Sequence, residues 1–296
     1  MNTLKKNNGL FIKIPFIAVL AAVLIAVPLR VYQYLKLINP TTGFFESNDF
    51  SIPVTYGILA LALVVCIIFS YFNHKSIQPV TIGKGSKIFL TVSLIMAIGA
   101  AVDCIGLVTD VTDLLDDVPK YFDFEKTTAY LSSQGGTLKV FEAVFAALSA
   151  FYFAVSGLSA LNNDTKPKFR LLALSPVVWC VFRLLFRFKR TIAFINVSDL
   201  LIELFAIVMT MVFFLAYAQI KSKIDSDSIF WKIYGYGLPA AMLALVCFVP
   251  KLILILTGQS DAINELHPIR VSDLTFAVYA IYICISATKS EAKTAE

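Results

Sequence analysis

The sequence predicts an all-α fold, a polytopic transmembrane helical bundle. Of its 296 residues, 58% are hydrophobic and only 15% are charged, which is far from the composition of soluble globular domains. Apolar stretches of about 20 residues, the length that crosses a bilayer, recur along the whole chain. We therefore expect a single transmembrane domain over residues 1–296, surrounded by membrane lipids.

The apolar stretches number eight, and one of them is ambiguous. They cover residues 14–36, 53–72, 87–109, 138–161, 169–187, 194–220, 233–257 and 270–288. The fifth stretch carries Arg183 in its interior, so the alternative is a segment that does not cross the membrane, which leaves seven spans. With eight spans, residues 14–161 form a first four-helix half and residues 169–288 a second.

A repeated layout favours eight spans. Four spans begin with a lysine followed by a large apolar residue, and each carries a charged residue about one membrane thickness further on. The four lysines are Lys13, Lys87, Lys168 and Lys232. The tetrapeptide Val-Ser-Asp-Leu begins both the sixth and the eighth span, at 197–200 and 271–274. We predict four helical hairpins arranged as internal repeats.

The expected topology places both termini on one side of the membrane. With a cytoplasmic N-terminus, lysine and arginine fall slightly more often in cytoplasmic segments, as the positive-inside rule requires. We therefore expect a multi-pass protein of the plasma membrane or a bacterial inner membrane, with both the N-terminus and the C-terminus in the cytoplasm. Residues 110–137 then form an acidic extracytoplasmic loop that includes a short surface helix.

Glycine-based packing motifs are weak in this sequence. Gly99 is followed four positions later by Asp103, and Gly157 is followed by the bulky Leu161. Close helix contacts in membranes are favoured where two small residues are separated by three others. Neither glycine therefore opens a clean small-residue packing motif.

Candidate binding residues are the charged side chains within or beside the spans. A charge at the centre of a membrane helix costs about 2.5–3.5 kcal/mol on insertion scales and persists only with compensation. Odd-numbered spans carry these charges near their ends and even-numbered spans near their beginnings, so all are expected at one depth. The candidates are Arg30, Asp103, Glu142, Arg183, Arg187, Asp199, Glu203, Lys251 and Asp273.

This layer predicts an outward-facing charged vestibule that binds or transports a small polar or ionic solute. A first alternative is a non-catalytic membrane sensor or assembly partner, in which the charges only hold the helices together. A second is an intramembrane lipid- or prenyl-handling enzyme, in which Asp110, Asp113, Asp116 and Asp117 bind magnesium and a diphosphate.

The sequence favours a protein that is not an enzyme. It contains no catalytic motif, no metal-ligand spacing and no cofactor fingerprint, so we assign no catalytic residue, metal or cofactor. The net charge of +5 is modest and unclustered, which argues against a nucleic-acid partner. Protein partners are not indicated.

Overall fold

A computed structural model describes residues 2–72, 86–119, 123–161, 171–189, 200–222, 230–263 and 269–293. Within these ranges the chain forms nine α-helices and no strand beyond an isolated bridge between Ile38 and Phe45. The helices are α1 (Asn2–Lys36), α2 (Ser51–Phe72), α3 (Lys87–Asp116), α4 (Phe124–Ser133), α5 (Gly136–Leu161), α6 (Ser175–Lys189), α7 (Leu200–Lys221), α8 (Phe230–Leu256) and α9 (Val271–Lys293).

Seven helices in the described part of the chain are long and apolar enough to cross a membrane, which confirms the prediction of an all-α membrane bundle. The ambiguous fifth stretch is among them, as the segment Leu171–Lys189. In the last helix, the apolar part within the described residues covers Val271–Ser286. The count of eight spans and the internal repeat stay predictions.

The acidic segment 110–137 is largely helical where it is described. Helix α3 continues to Asp116, and α4 follows with Asp123 at its N-cap, where the carboxylate accepts a hydrogen bond from the Lys126 backbone N–H at 2.9 Å. Gly135 joins α4 to α5 with a φ of 79°, a left-handed conformation that favours glycine. The predicted short helix in this segment is therefore α4, which packs against α5.

The long helices pack as hairpins, and six of those described close into a ring. The hairpins are α1–α2, α3–α5, α6–α7 and α8–α9. Helices α3, α5, α6, α7, α8 and α9 contact one another in that order, and α9 returns to contact α3. We call these six helices the ring. The α1–α2 hairpin lies outside it, against α8.

Aromatic side chains fill the interior of the ring. They come from α3, α5, α7 and α9 and contact one another with ring centroids 5.2–6.4 Å apart. They include Phe89, Phe153, Phe213, Phe214, Phe276 and Tyr279. The outside of the bundle is also apolar, with large exposed side chains such as Leu24, Leu61 and Ile105. An apolar exterior around an apolar core is what a lipid environment requires.

Gly99 lies at a close contact between α3 and α9. A Cβ atom at this position would overlap the side chain of Thr275 on α9. Gly157 also lies in close contact, since its Cβ would be 3.0 Å from the Cβ of Ser93. Both glycines face a side chain on another helix, so these contacts need no second small residue on the same helix.

We expect Gly99→Ala to lower the free energy of unfolding by about 1–3 kcal/mol, because the added methyl group has no space between α3 and α9. Gly106→Ala is the matched control on the same helix, since a Cβ there meets nothing within 4 Å. Thermal unfolding in detergent compares the two variants. Equal stability of both would show that the α3–α9 contact is looser than described.

Candidate functional site

Every helix of the ring brings an ionisable residue to the same end of the bundle. In the described part of the chain these residues form a set of four acids and four bases, which we call the charged cluster. Its members are Asp103, Glu142, Arg183, Arg187, Glu203, Lys251, Arg270 and Asp273. The end of the bundle that holds them is the charged end.

Arg183 on α6 joins three helices. Its guanidinium donates two hydrogen bonds to the Asp273 carboxylate on α9, at 2.8 and 3.1 Å. The same guanidinium lies 3.6 Å from Glu203 Oε1 on α7. Two parallel hydrogen bonds between arginine and a carboxylate are among the strongest polar contacts in proteins and fix the orientation of both groups. Arg183 therefore sets the relative positions of α6, α7 and α9.

Arg187 lies one helical turn beyond Arg183 and points in the same direction. Its Nη2 donates to Glu203 Oε1 at 2.6 Å, and its side chain is only 1% exposed. The four-residue spacing puts both arginines on one face of α6. Glu203 therefore compensates two guanidinium groups from a single carboxylate.

A second group of contacts joins α3, α5 and α9. Arg270, directly before α9, donates to Glu142 Oε1 at 2.6 Å, and Glu142 is fully buried. Asp103 accepts hydrogen bonds from the backbone N–H and the hydroxyl of Ser272, in the first turn of α9. A carboxylate at a helix N-terminus is favoured by the unpaired N–H groups and the helix dipole.

Electrostatic interactions connect the two groups into one cluster. Asp103 lies within electrostatic range of both Arg270 and Arg183. Lys251 on α8 is buried, and it lies with Asp273 and Glu203 within electrostatic range of Cys247. Asp103 thus interacts with bases of both groups, and Lys251 lies near the acids on α7 and α9.

Arg30 occupies a different environment on α1. Its guanidinium donates to Gln33 at 2.9 Å and lies 4.9 Å from the ring centroid of Tyr34. Gln33 in turn donates to Thr55 Oγ1 on α2 at 3.0 Å. The described hydrogen bonds of Arg30 therefore stay within α1, outside the ring, and Gln33 connects this group to α2.

The buried polar atoms of the charged cluster that lack a hydrogen bond to a described residue include Glu142 Oε2, an acceptor, and Arg183 Nε, a donor. Both residues lie within electrostatic range of the Cys180 thiol on α6. Side chains at the rim are partly exposed, with Asp273 at 18% and Arg270 at 10%, so the cluster borders the surface of the charged end.

Sequence reasoning missed two contributors and included one residue that the structure does not describe. Arg270 and Ser272 complete the contacts of Glu142 and Asp103 but were not among the candidates. A cation at a helix N-terminus opposes the helix dipole, so Arg270 between two apolar residues was a signal for a buried anionic partner. Asp199 lies outside the described residues.

The aspartates of the second alternative lie at the surface. Asp110 pairs with Lys139 at 2.7 Å, and Asp113 and Asp116 are exposed on the last turns of α3. Within the described ranges, no three histidine, cysteine or acidic side chains are grouped so as to hold a metal ion. No described geometry supports a magnesium diphosphate site here.

Comparison of the sequence with models of protein families, with curated proteins and with solved structures finds no match. The class of the protein therefore follows from its own fold. Seven long apolar helices with an apolar exterior make this chain a multi-pass integral membrane protein.

We expect Arg270→Met to lower the free energy of unfolding by about 3–5 kcal/mol, because it leaves the buried Glu142 carboxylate without its cation. The double variant Arg270→Met, Glu142→Leu should recover most of this loss. Lys126→Met is the control, since it breaks an exposed pair with Asp123 and should cost about 1 kcal/mol or less. Additive effects of the two buried substitutions would contradict the pairing.

Proposed function

We propose that the protein binds a small polar or ionic solute at the charged cluster and moves it across the membrane. Apolar and aromatic contacts also pack the interior of the ring, so the charged cluster is not its only source of stability. A buried ion pair is often neutral or unfavourable for stability compared with well-packed apolar side chains. Ionisable residues at membrane depth are accordingly a mark of solute or ion sites.

The observation that carries the proposal is that two buried polar atoms, Glu142 Oε2 and Arg183 Nε, have no described hydrogen bond. A buried acceptor and a buried donor without described hydrogen bonds each carry a free-energy penalty of about 1–3 kcal/mol. A solute with one donor group and one acceptor group would remove both penalties. A net-neutral cluster of four acids and four bases also suits such a solute, since neither sign of charge dominates.

The shared carboxylate of Glu203 offers a way to admit and release the solute. Because Glu203 contacts both Arg183 and Arg187, an anionic group that binds Arg183 leaves Glu203 compensated by Arg187. Asp273, the other partner of Arg183, is partly exposed and can exchange its contact for water. Binding at this point therefore leaves no buried charge uncompensated.

For orientation, we propose that the charged end faces the outside and that both termini lie in the cytoplasm, in a plasma membrane or a bacterial inner membrane. The slight excess of lysine and arginine in the segments at the opposite end supports this orientation. The charged cluster would then be an outward-facing vestibule.

A second candidate is a membrane sensor or assembly partner in which the charged cluster only fixes the helices. The short Arg183–Asp273 and Arg187–Glu203 contacts favour it, because they resemble a structural lock. The two candidates differ in one respect that can be measured. If the charged cluster is only structural, its charges contribute to stability alone. In a solute site, Glu142 and Arg183 also bind the solute.

We expect a solute in a panel of amino acids, organic acids, polyamines and inorganic ions to raise the melting temperature of the purified protein. Saturation at one hundred times the dissociation constant corresponds to about 2.7 kcal/mol of added stability. Glu142→Gln should weaken binding at least ten-fold, because the variant keeps the shape of the side chain and removes its charge. Uptake into proteoliposomes then separates transport from binding.

The control for this experiment is Asp110→Asn, which removes an exposed carboxylate at the same end of the bundle. It should bind the solute as the unmodified protein does. If no solute raises the melting temperature, or if Glu142→Gln binds with full affinity, the charged cluster is not a solute site and the second candidate stands.

A further inference from the structure

One face of α9 carries a row of hydroxyl groups that begins at the charged cluster. Ser272, Thr275, Tyr279 and Tyr282 follow one another at intervals of three or four residues, which places them on the same side of the helix. The row covers about 15 Å along the helix axis at 1.5 Å per residue. We call these four residues the hydroxyl row.

Both ends of the hydroxyl row are hydrogen-bonded to the α3 segment. Ser272 donates to Asp103 at the charged end, and Thr275 contacts Met96 Sδ at 3.6 Å one turn further on. At the opposite end of the bundle, the Tyr282 hydroxyl lies 3.0 Å from Ser86 Oγ, at the N-cap of α3. The hydroxyl row therefore follows the interface between α3 and α9 through most of the bundle.

The middle of this interface contains buried hydroxyls without hydrogen bonds of good geometry. Tyr279 on α9, Tyr217 on α7 and Ser93 on α3 are at most 1% exposed. The Tyr217 and Tyr279 hydroxyls interact with each other, but none of the three makes a hydrogen bond of good geometry to another described residue. The Tyr217 and Tyr279 rings are in contact at 5.9 Å between centroids. The antiparallel pairing of Thr275 with Met96, and of Tyr282 with Phe89, places Ser93 at the depth of Tyr279.

Three buried hydroxyls at one depth, each without a hydrogen bond of good geometry, indicate bound water. Buried polar groups in proteins are almost always hydrogen-bonded, either to the chain or to ordered water molecules. A water needs two to four polar partners, which these hydroxyls supply. Water at this depth would connect the two hydrogen-bonded ends of the hydroxyl row.

We propose that the hydroxyl row and its bound water conduct protons between the charged cluster and the opposite end of the bundle. Each oxygen accepts a proton from one neighbour and releases its own hydrogen to the next, so the bonds formed and broken balance and one proton crosses. Asp103 is the entrance, facing Arg183, Arg270 and Asp273. At the other end Lys221 lies over the rings of Phe89 and Tyr217.

The aromatic interior favours protons over other ions. Phe153 contacts Tyr279 with centroids 5.2 Å apart, and Phe213 contacts Phe276 at 5.5 Å. Rings in mutual contact obstruct a hydrated ion, whereas proton transfer needs only neighbouring hydroxyls and single water molecules. The proton path itself requires no solute. It rests on the proposed function in one respect, that the proton would be the coupling ion for transport of the solute.

The test is proton entry into potassium-loaded proteoliposomes that contain pyranine, driven by a valinomycin diffusion potential without added solute. The protein should acidify the lumen at least ten-fold faster than empty liposomes do. Tyr279→Phe removes one buried hydroxyl and should reduce the protein-dependent rate at least ten-fold. Its melting temperature should change little, because the variant keeps the aromatic ring and its contacts with Phe153 and Tyr217.

Tyr32→Phe is the matched control, since Tyr32 is 44% exposed on the outside of α1, and it should conduct like the unmodified protein. A rate equal to that of empty liposomes, or full conduction by a folded Tyr279→Phe variant, overturns the proton path. If solutes still raise the melting temperature in that case, the proposed function stands. Proton conduction by a protein that binds no solute supports the proton path and contradicts the proposed solute site.

Discussion

The requirement that charges at membrane depth be compensated decides how the helices of this protein are arranged. Apolar side chains give little preference for one helix neighbour over another, because lipid tails are as apolar as the helices themselves. Ion pairs do give a preference. Arg183 holds α6 against α7 and α9, and Arg270 holds the start of α9 against α5. The order of helices around the ring and their relative depth follow from these contacts.

The sequence predicted the helical class and the shared depth of the charges, since both depend on positions along the chain. It did not predict the pairing, which depends on the order of helices around the ring. Arg30 shows the difference, because it has the expected spacing but its described hydrogen bonds are made to residues of its own helix, α1. The contact of α3 with α9 was equally hidden, since it rests on Gly99 facing one threonine of a distant segment.

Helix α9 connects the charged cluster to the interior of the bundle. It carries hydroxyl groups along one of its faces. A helix in the ring that contacts α3 and α8 can carry such groups, because protein rather than lipid surrounds that face. The first turn of α9 contacts Asp103, and its third turn reaches the tyrosines. The hydroxyl row is therefore in direct contact with the charged cluster.

The central claim is that the charged cluster recognises a solute and does not merely hold helices together. Reversal of one pair, Arg183→Asp with Asp273→Arg, separates these roles because it keeps an ion pair between α6 and α9 but changes the position of each charge. The measurement is the melting temperature of the double variant and of both single variants, with and without the solute that stabilises the unmodified protein. We expect the double variant to be more stable than either single variant but to gain no stability from the solute. A double variant that the solute stabilises as strongly as the unmodified protein would contradict the claim.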